Sequence, residues 1–172
     1  FNPDRMKEYR PDIRPGEIPA SVSDIPFFKV LGNETLNHIL DHTTILDCEP
    51  GDHIVEEGSS DQSLLFLLKG KVRVTKEGTS ISASWGSGEL LGEVAMLRDG
   101  KRSATLVAET QVYCLRVDPS FLEDLSDVER SAYYASLYCF LAKLLAERLD
   151  STTTKLAIAE QRLSELQQGN IG

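Results

Sequence analysis

The pattern of hydrophobic and polar positions changes twice along the chain. Between residues 44 and 117, short apolar runs are separated by turn residues, and glycines punctuate them at nearly regular intervals. Lys71–Val74 and Ser80–Ala83 alternate strictly, which predicts strands with one face toward solvent and one toward a core. The flanking regions carry apolar residues at helical spacing. The pattern predicts an α+β fold, in which an antiparallel β-roll (a jelly-roll-like double-stranded β-helix) is flanked by short N-terminal helices and a long C-terminal helix.

These changes divide the chain into four predicted segments. Residues 1–22 contain four prolines among charged residues, a composition that disfavours regular structure, so we expect an N-terminal arm or linker with few core contacts. Residues 23–125 hold the predicted β-roll and its flanking helices. Residues 126–168 form the predicted long helix, which begins at a candidate N-cap near Ser126, and residues 169–172 are a tail.

Apolar side chains of the C-terminal helix recur at alternating spacings of three and four residues. The positions are Leu145, Leu149, Thr152, Leu156, Ala159, Leu163 and Leu166. This is a heptad seam, which favours a parallel two-stranded homodimer over the alternative that the helix packs back on its own β-roll. Thr152 and Ala159 weaken the seam in its middle, as would suit a contact that a ligand strengthens.

Charge and composition exclude several function classes. The chain has 18 basic and 27 acidic residues, a formal net charge of -9, which repels phosphate backbones, so we expect no direct nucleic-acid binding. No run approaches the roughly 18 apolar residues that span a bilayer. Cys48, Cys114 and Cys139 are scattered without CxxC spacing, which indicates reduced thiols in a cytoplasmic protein rather than a disulfide framework or a thiolate zinc site.

Neither a metal site nor a catalytic site is indicated. His38 and His42 lie one helical turn apart, but no third ligand is within reach along the sequence. The chain contains no GxSxG nucleophile motif and no P-loop. We therefore expect no metal, no catalytic residues and no enzymatic activity.

One segment interrupts the β pattern with chemistry suited to an anion. It runs from Gly88 to Leu97 and is followed by Lys101 to Thr105. Gly92 allows close backbone approach to a ligand, and a helical turn that begins at Glu93 would present N–H groups to an anion. Arg102 supplies a permanent positive charge with a planar donor fork that matches phosphate oxygens, whereas an ionised Glu93 accepts from a hydroxyl. One anion site beside one hydroxyl acceptor suits a ribose cyclic phosphate.

This segment resembles the phosphate-binding cassette of the cyclic-nucleotide-binding domain family, in which a GE(L/I/V)A(L/M) turn precedes RxA. The family's upstream signatures are matched in order by Ile25–Phe28, Pro50–Val55, Glu57–Gly58 and Leu65–Gly70. The resemblance covers roughly residues 23–150. It implies that Glu93 binds the ribose 2′-hydroxyl and that Arg102 pairs with the exocyclic phosphate oxygens. The further contacts that it implies come from Gly92, Val94, Ala95, Ser103 and Ala104.

The cassette departs from the family pattern at two positions. Lys101 stands where proline is frequent, and Leu91 stands where an aromatic residue is frequent. Neither change removes a binding group.

The C-terminal helix carries a second resemblance. Ala146–Lys155 is similar to the long dimerisation helix of the family's catabolite activator branch, in which adjacent hydroxyl residues from the two subunits reach the adenine amino group. The resemblance implies that Thr152 and Thr153 cap the purine and that Arg148 approaches Glu93 or the ribose.

The purine prediction follows from the same positions. We expect cyclic AMP as the ligand because of the two threonines. Cyclic GMP stays open because Ser103, beside Arg102, could serve guanine at a position where related domains often carry threonine.

The predicted function is that of a regulatory module. Binding of a cyclic nucleotide would set the position of the dimerising C-terminal helix and so act on an output domain outside this chain. A truncated transcription regulator of the catabolite activator (CRP/FNR) type, and a degenerate domain that acts only in dimerisation, are the alternatives. The acidic charge and the coiled-coil pattern favour the regulatory module attached to another domain over the truncated transcription regulator.

Overall fold

The structure is a computed structural model and describes residues 6–10, 22, 24–85, 88–97 and 100–169. The chain separates into two compact units, Phe1–Tyr133 and Tyr134–Gly172, and each is described by itself. Residues 1–5 and 11–21 of the predicted arm, residues 23, 86–87 and 98–99 of the predicted β-roll segment, and residues 170–172 of the predicted tail lie outside the described residues.

Two antiparallel sheets form the first unit. The strands found in the described residues are β1 (Lys7–Tyr9), β2 (Thr43–Cys48), β3 (His53–Val55), β4 (Leu64–Lys69), β5 (Val72–Lys76), β6 (Thr79–Trp85), β7 (Leu90–Leu91), β8 (Thr105–Ala108) and β9 (Val112–Val117). One sheet has the order β1-β2-β9-β4-β7 and the other the order β3-β8-β5-β6. Because consecutive strands switch between the sheets, the chain rolls up around one core.

The helices lie at the ends of the strand region and in one interruption of it. They are a 3-10 helix at Phe28–Val30, α1 (Asn33–Asp41), α2 (Glu93–Leu97), a 3-10 helix at Pro119–Glu123 and α3 (Asp127–Gly169). These helices and the two sheets confirm the predicted α+β β-roll. Within the described residues, none of the helices combines the length and apolar composition needed to cross a membrane.

The start of α3 is set by a reciprocal cap. The backbone N–H of Ser126 donates to Glu129 Oε2 at 2.9 Å, and the N–H of Glu129 lies 3.4 Å from Ser126 Oγ. This capping box supplies partners to N–H groups that have none within the helix. The candidate N-cap near Ser126 is therefore the residue that precedes α3.

The core lies between the two sheets. It is formed by Leu46, Cys48, Ile54, Val55, Leu65, Leu67, Val72, Val74, Leu91, Leu106, Ala108, Val112 and Cys114. β5 shows the predicted alternation, since Val72 and Val74 are buried and Arg73 between them is exposed. β4 is instead buried on both faces, because Phe66 points away from this core and contacts Phe28 with ring centroids 4.8 Å apart.

The N-terminal region differs from its prediction at β1. Lys7 pairs with Asp47 and Tyr9 with Ile45, so this segment extends the first sheet by one edge strand. Met6, immediately before it, packs against the core. The expectation that this segment lacks regular structure is wrong for residues 7–9, because an edge strand is held through its backbone and needs no apolar pattern of its own, but their side chains are exposed.

Candidate functional site

One pocket in the first unit brings together all seven residues predicted for the cassette. Its cavity volume is about 70 Å³, and its lining is Val55, Val74, Gly92, Glu93, Val94, Ala95, Arg102, Ser103, Ala104 and Leu106. Val55, Val74 and Leu106 were not predicted. They occupy inward-facing positions of β3, β5 and β8, so strand alternation was the signal that could have found them. They give the pocket an apolar wall opposite polar groups, as is usual for small-molecule sites.

Gly92 connects β7 to α2 and has two reasons to be glycine. Its φ is +87°, a conformation that residues with a side chain rarely adopt. A Cβ at this position would lie 1.8 Å from Nη1 of Arg102 and 3.3 Å from the carbonyl oxygen of Ser63. The close approach that we predicted for a ligand is therefore made, in this structure, by the Arg102 guanidinium.

Arg102 is buried, with only 2% of its side chain exposed. Nη2 donates to Asp61 Oδ2 at 2.9 Å and to the carbonyl oxygen of Ser63 at 2.7 Å, and Nη1 donates to the carbonyl oxygen of Gly92 at 3.1 Å. Nε has no hydrogen-bond partner among the described residues. A buried charged donor without a partner is costly. This N–H group therefore suits an oxygen of an anionic ligand.

Asp61 is the functional residue that sequence reasoning missed. Partial burial raises the pKa of its carboxyl, but hydrogen bonds from Arg102 and from the backbone and side chain of Ser63 outweigh burial, so the pKa lies below its ordinary value. The ionised carboxylate neutralises Arg102 and sets the direction of the guanidinium. Asp61 and Ser63 lie in the polar segment just before β4. The sequence did not reveal the role of Asp61, because no hydrophobic pattern distinguishes one charged residue from the others in such a segment.

The backbone around Arg102 is held by the same loop. The N–H of Arg102 donates to the carbonyl oxygen of Ser59 at 2.9 Å, and the N–H of Gly58 donates to the carbonyl oxygen of Arg102 at 2.8 Å. These bonds fix the approach of the chain to β8, so that Ser103 and Ala104 line the pocket.

Glu93 is the first residue of α2 and is 3% exposed. A carboxylate in the first turn of a helix is favoured by the N–H groups there. As an ionised group it only accepts hydrogen bonds, so it can bind a hydroxyl that faces the pocket. Val94 and Ala95 complete this side of the pocket.

Arg148, Thr152 and Thr153 lie on α3 in the second unit. Thr152 Oγ1 donates to the carbonyl oxygen of Arg148 at 2.8 Å, and Thr153 Oγ1 donates to that of Leu149 at 2.9 Å. The predicted ligand contacts of these three residues stay predictions. Across the described part of the chain, no group of three or more His, Cys, Asp or Glu residues could hold a metal ion.

Comparison with known proteins agrees with this geometry. A family model of the cyclic nucleotide-binding domain matches residues 45–128. The chain is 33% identical over 92 residues to the cAMP-dependent protein kinase regulatory subunit of Yarrowia lipolytica, covering 53% of this chain and 24% of that protein. It is 32% identical over 120 residues to cGMP-dependent protein kinase 2 of Mus musculus, covering 66% of this chain and 15% of that protein. The chain thus spans about a quarter or less of the length of these relatives.

The fold is also shared with solved structures. A cyclic nucleotide-binding domain from Methylobacillus flagellatus KT superposes with a TM-score of 0.61 at 24% identity, covering 76% of this chain and 75% of that one. The matched region is a ligand-binding regulatory domain and not a catalytic one. Residues 45–128 thus match the cyclic nucleotide-binding domain family, and the fold and the converging cassette residues agree with that match.

Proposed function

We propose that this chain senses cyclic AMP through the pocket between α2 and β8, with the phosphate at Arg102 and the ribose at Glu93. The observation that carries this proposal is the buried side chain of Arg102, a pocket-lining residue whose Nε donor has no hydrogen-bond partner among the described residues. The cyclic phosphate carries one negative charge and several acceptor oxygens. A charge-assisted hydrogen bond from this donor satisfies both the ligand and the protein.

The ribose and phosphate fit the two ends of the cassette. Glu93 accepts from the 2′-hydroxyl, and the phosphate lies near the first turn of α2, whose backbone dipoles favour an anion. Val55, Val74 and Leu106 provide an apolar surface for the sugar and the base.

Two observations bear on the purine. The hydroxyls of Thr152 and Thr153 donate to the helix backbone, so their oxygens remain as acceptors, which suits the amino group of adenine and not the carbonyl of guanine. Cyclic GMP is the second candidate, because Ser103 lines the pocket and its hydroxyl both donates and accepts. The relatives described above carry both nucleotides in their names.

The output route that we propose is the distal part of α3 in a homodimer. Leu149, Leu156 and Leu163 are 68%, 57% and 58% exposed and repeat every seven residues. In a parallel pair, Lys155 of one chain faces Glu160 of a second copy across the seam, whereas an antiparallel pair would bring basic residues together. Ligand binding would strengthen this contact and so act on an output domain outside the chain.

The three free thiols support the reducing cytoplasm as the location of the protein.

Calorimetric titration of the purified chain with cyclic AMP and cyclic GMP tests the ligand. We expect one site per chain, tighter for cyclic AMP, and a loss of about tenfold to a hundredfold in affinity for Arg102→Ala, since a hydrogen bond to a charged group contributes about 1.5–3 kcal/mol. Arg73→Ala is the matched control, because Arg73 is exposed on β5. Absence of binding of both nucleotides, or equal losses in the two variants, would contradict the proposal and favour a domain that acts only in dimerisation.

Sedimentation of the chain tests the homodimer. We expect Leu156→Ser and Leu163→Ser to shift the dimer toward monomer, because each removes a large apolar side chain from the seam. Ile158→Ser is the matched control, since Ile158 is 47% exposed but lies outside the heptad positions. A monomeric wild-type chain would refute the dimer without affecting the ligand proposal.

A further inference from the structure

A second cavity lies at the β1 end of the roll. Its volume is about 240 Å³, and it shares no lining residue with the ligand pocket. Leu46, Ile54 and Leu65 are its buried apolar residues. Three charged residues also line it, namely Asp61, which bonds to Arg102, Arg116, which bonds to Glu8, and Glu56, which contacts His53.

The two ion pairs arrange four charges in a definite way. Glu8 on β1 accepts from Arg116 Nη1 at 3.1 Å, and Asp61 accepts from Arg102 Nη2 at 2.9 Å. Arg116 is therefore directed to the N-terminal strand, while Asp61 is directed to the predicted phosphate-binding arginine. Exchanging partners across the cavity would join Arg116 to Asp61, leave Glu8 without its arginine, and leave Arg102 bonded to carbonyl oxygens but without a carboxylate.

We propose that Glu8 is a positioning residue for ligand binding, because it holds Arg116 away from Asp61 and so keeps Asp61 paired with Arg102. The proposal rests on the proposed function for its effect on ligand affinity. Glu8 acts through Arg116 and Asp61 and does not line the ligand pocket.

The strand that carries Glu8 is held weakly, so the ion pair between Glu8 and Arg116 is easily broken. β1 contributes three residue pairs at the edge of its sheet, and all three of its side chains are exposed. The side chains of Arg116 and Glu8 are 34% and 43% exposed, so solvent screens their attraction. Asp61 is less exposed, at 30%, and its oxygens also accept from the backbone and side chain of Ser63. Glu56, the other carboxylate that lines the cavity, is 43% exposed and already accepts from Thr105, so Asp61 is the better-shielded carboxylate for a released Arg116.

The consequence is a route of regulation from the N-terminal side. An event that detaches β1 would free Arg116 to compete for Asp61, and Arg102 would lose the carboxylate that directs its guanidinium. Preorganised donors bind an anion more tightly than donors that must first be oriented. Ligand affinity would therefore fall when the strand detaches.

A double-mutant cycle in the full chain tests this inference. We expect Glu8→Ala to weaken cyclic AMP binding by about threefold to tenfold, since coupled charges in one network interact on this scale. Arg116→Ala, alone or combined with Glu8→Ala, should bind within about twofold of wild type, because the competing charge is gone. Lys7→Ala is the matched control, since it keeps the strand without touching the ion pair.

A ligand-free readout separates this inference from the proposed function. The Nε–H resonance of Arg102 in proton–nitrogen spectra should shift in Glu8→Ala and return in the double variant. An unshifted resonance in Glu8→Ala, or a double variant that stays as weak or as shifted as Glu8→Ala, would overturn the inference even if the wild-type chain bound no nucleotide. Loss of wild-type binding with the predicted shifts intact would instead remove only the proposed function.

Discussion

Substitution of Gly92 by alanine should disrupt the pocket around Arg102 more than the same substitution at a glycine with open space around it. The φ of +87° disfavours a side chain by about 1–2 kcal/mol. The new Cβ would also lie 1.8 Å from Arg102 Nη1, so the guanidinium must move. Displacing it breaks the hydrogen bond to the Gly92 carbonyl oxygen and loosens the bond to Asp61, at about 1.5–3 kcal/mol for a charged donor. We expect the free energy of unfolding to fall by about 3–5 kcal/mol and ligand affinity to fall at least tenfold.

Urea denaturation and calorimetric titration measure the two effects. Gly51→Ala is the matched control, because its φ is +93° and no atom lies within 4 Å of the added Cβ, so it should show the conformational cost alone. In an Arg102→Ala background the clash with Nη1 is absent and only the 3.3 Å contact with the Ser63 carbonyl oxygen remains, so Gly92→Ala should then cost close to the control. A Gly92→Ala protein as stable as Gly51→Ala, or one with wild-type affinity, would refute the assignment of Gly92 to the guanidinium approach.

Three further predictions follow from the described contacts. Partial burial raises the pKa of the Asp61 carboxyl, but its hydrogen bonds outweigh burial, so the pKa lies below the ordinary value. The ionised carboxylate therefore stabilises the folded state above the unfolded pKa of about 3.9, and this stabilisation is lost as the pH falls through the folded pKa. Asp61→Asn should flatten the acid limb of a stability-versus-pH curve, and an unchanged limb would contradict this. Burial raises the pKa of Cys48 to about 12, and burial also raises the pKa of Cys114. A disulfide reagent at pH 8 should therefore react only with the exposed Cys139 in the folded chain and with all three thiols in urea, and two fast thiols in the folded chain would be inconsistent with this. Ser126→Ala should lower the stability by about 1 kcal/mol in thermal unfolding through loss of the cap, and an unchanged midpoint would argue against the capping box.

Much of the site was accessible from the sequence because its residues are close together along the chain. Gly92, Glu93, Arg102 and Ser103 fall within one short segment, and the chemistry of an anion site is carried by their types and spacing. The β-roll was also predictable, since alternation in Lys71–Val74 and the turn glycines are local signals.

The partners of Arg102 were not accessible in the same way. Asp61 and Ser63 are 41 and 39 residues away along the sequence, and only the folding of β4 beside the cassette brings them to the guanidinium. β1 escaped prediction because three exposed residues with no apolar pattern form a strand only when β2 offers a free edge.

The sequence by itself determined the strand and helix pattern, the anion-binding chemistry of the cassette and the heptad repeat of α3, because each depends on residues that are neighbours along the chain. The tertiary structure decided which carboxylate neutralises Arg102, which atom requires Gly92 to lack a side chain, and how β1 joins the first sheet. These depend on contacts between segments far apart in sequence, where many residues of suitable chemistry compete and only packing selects among them.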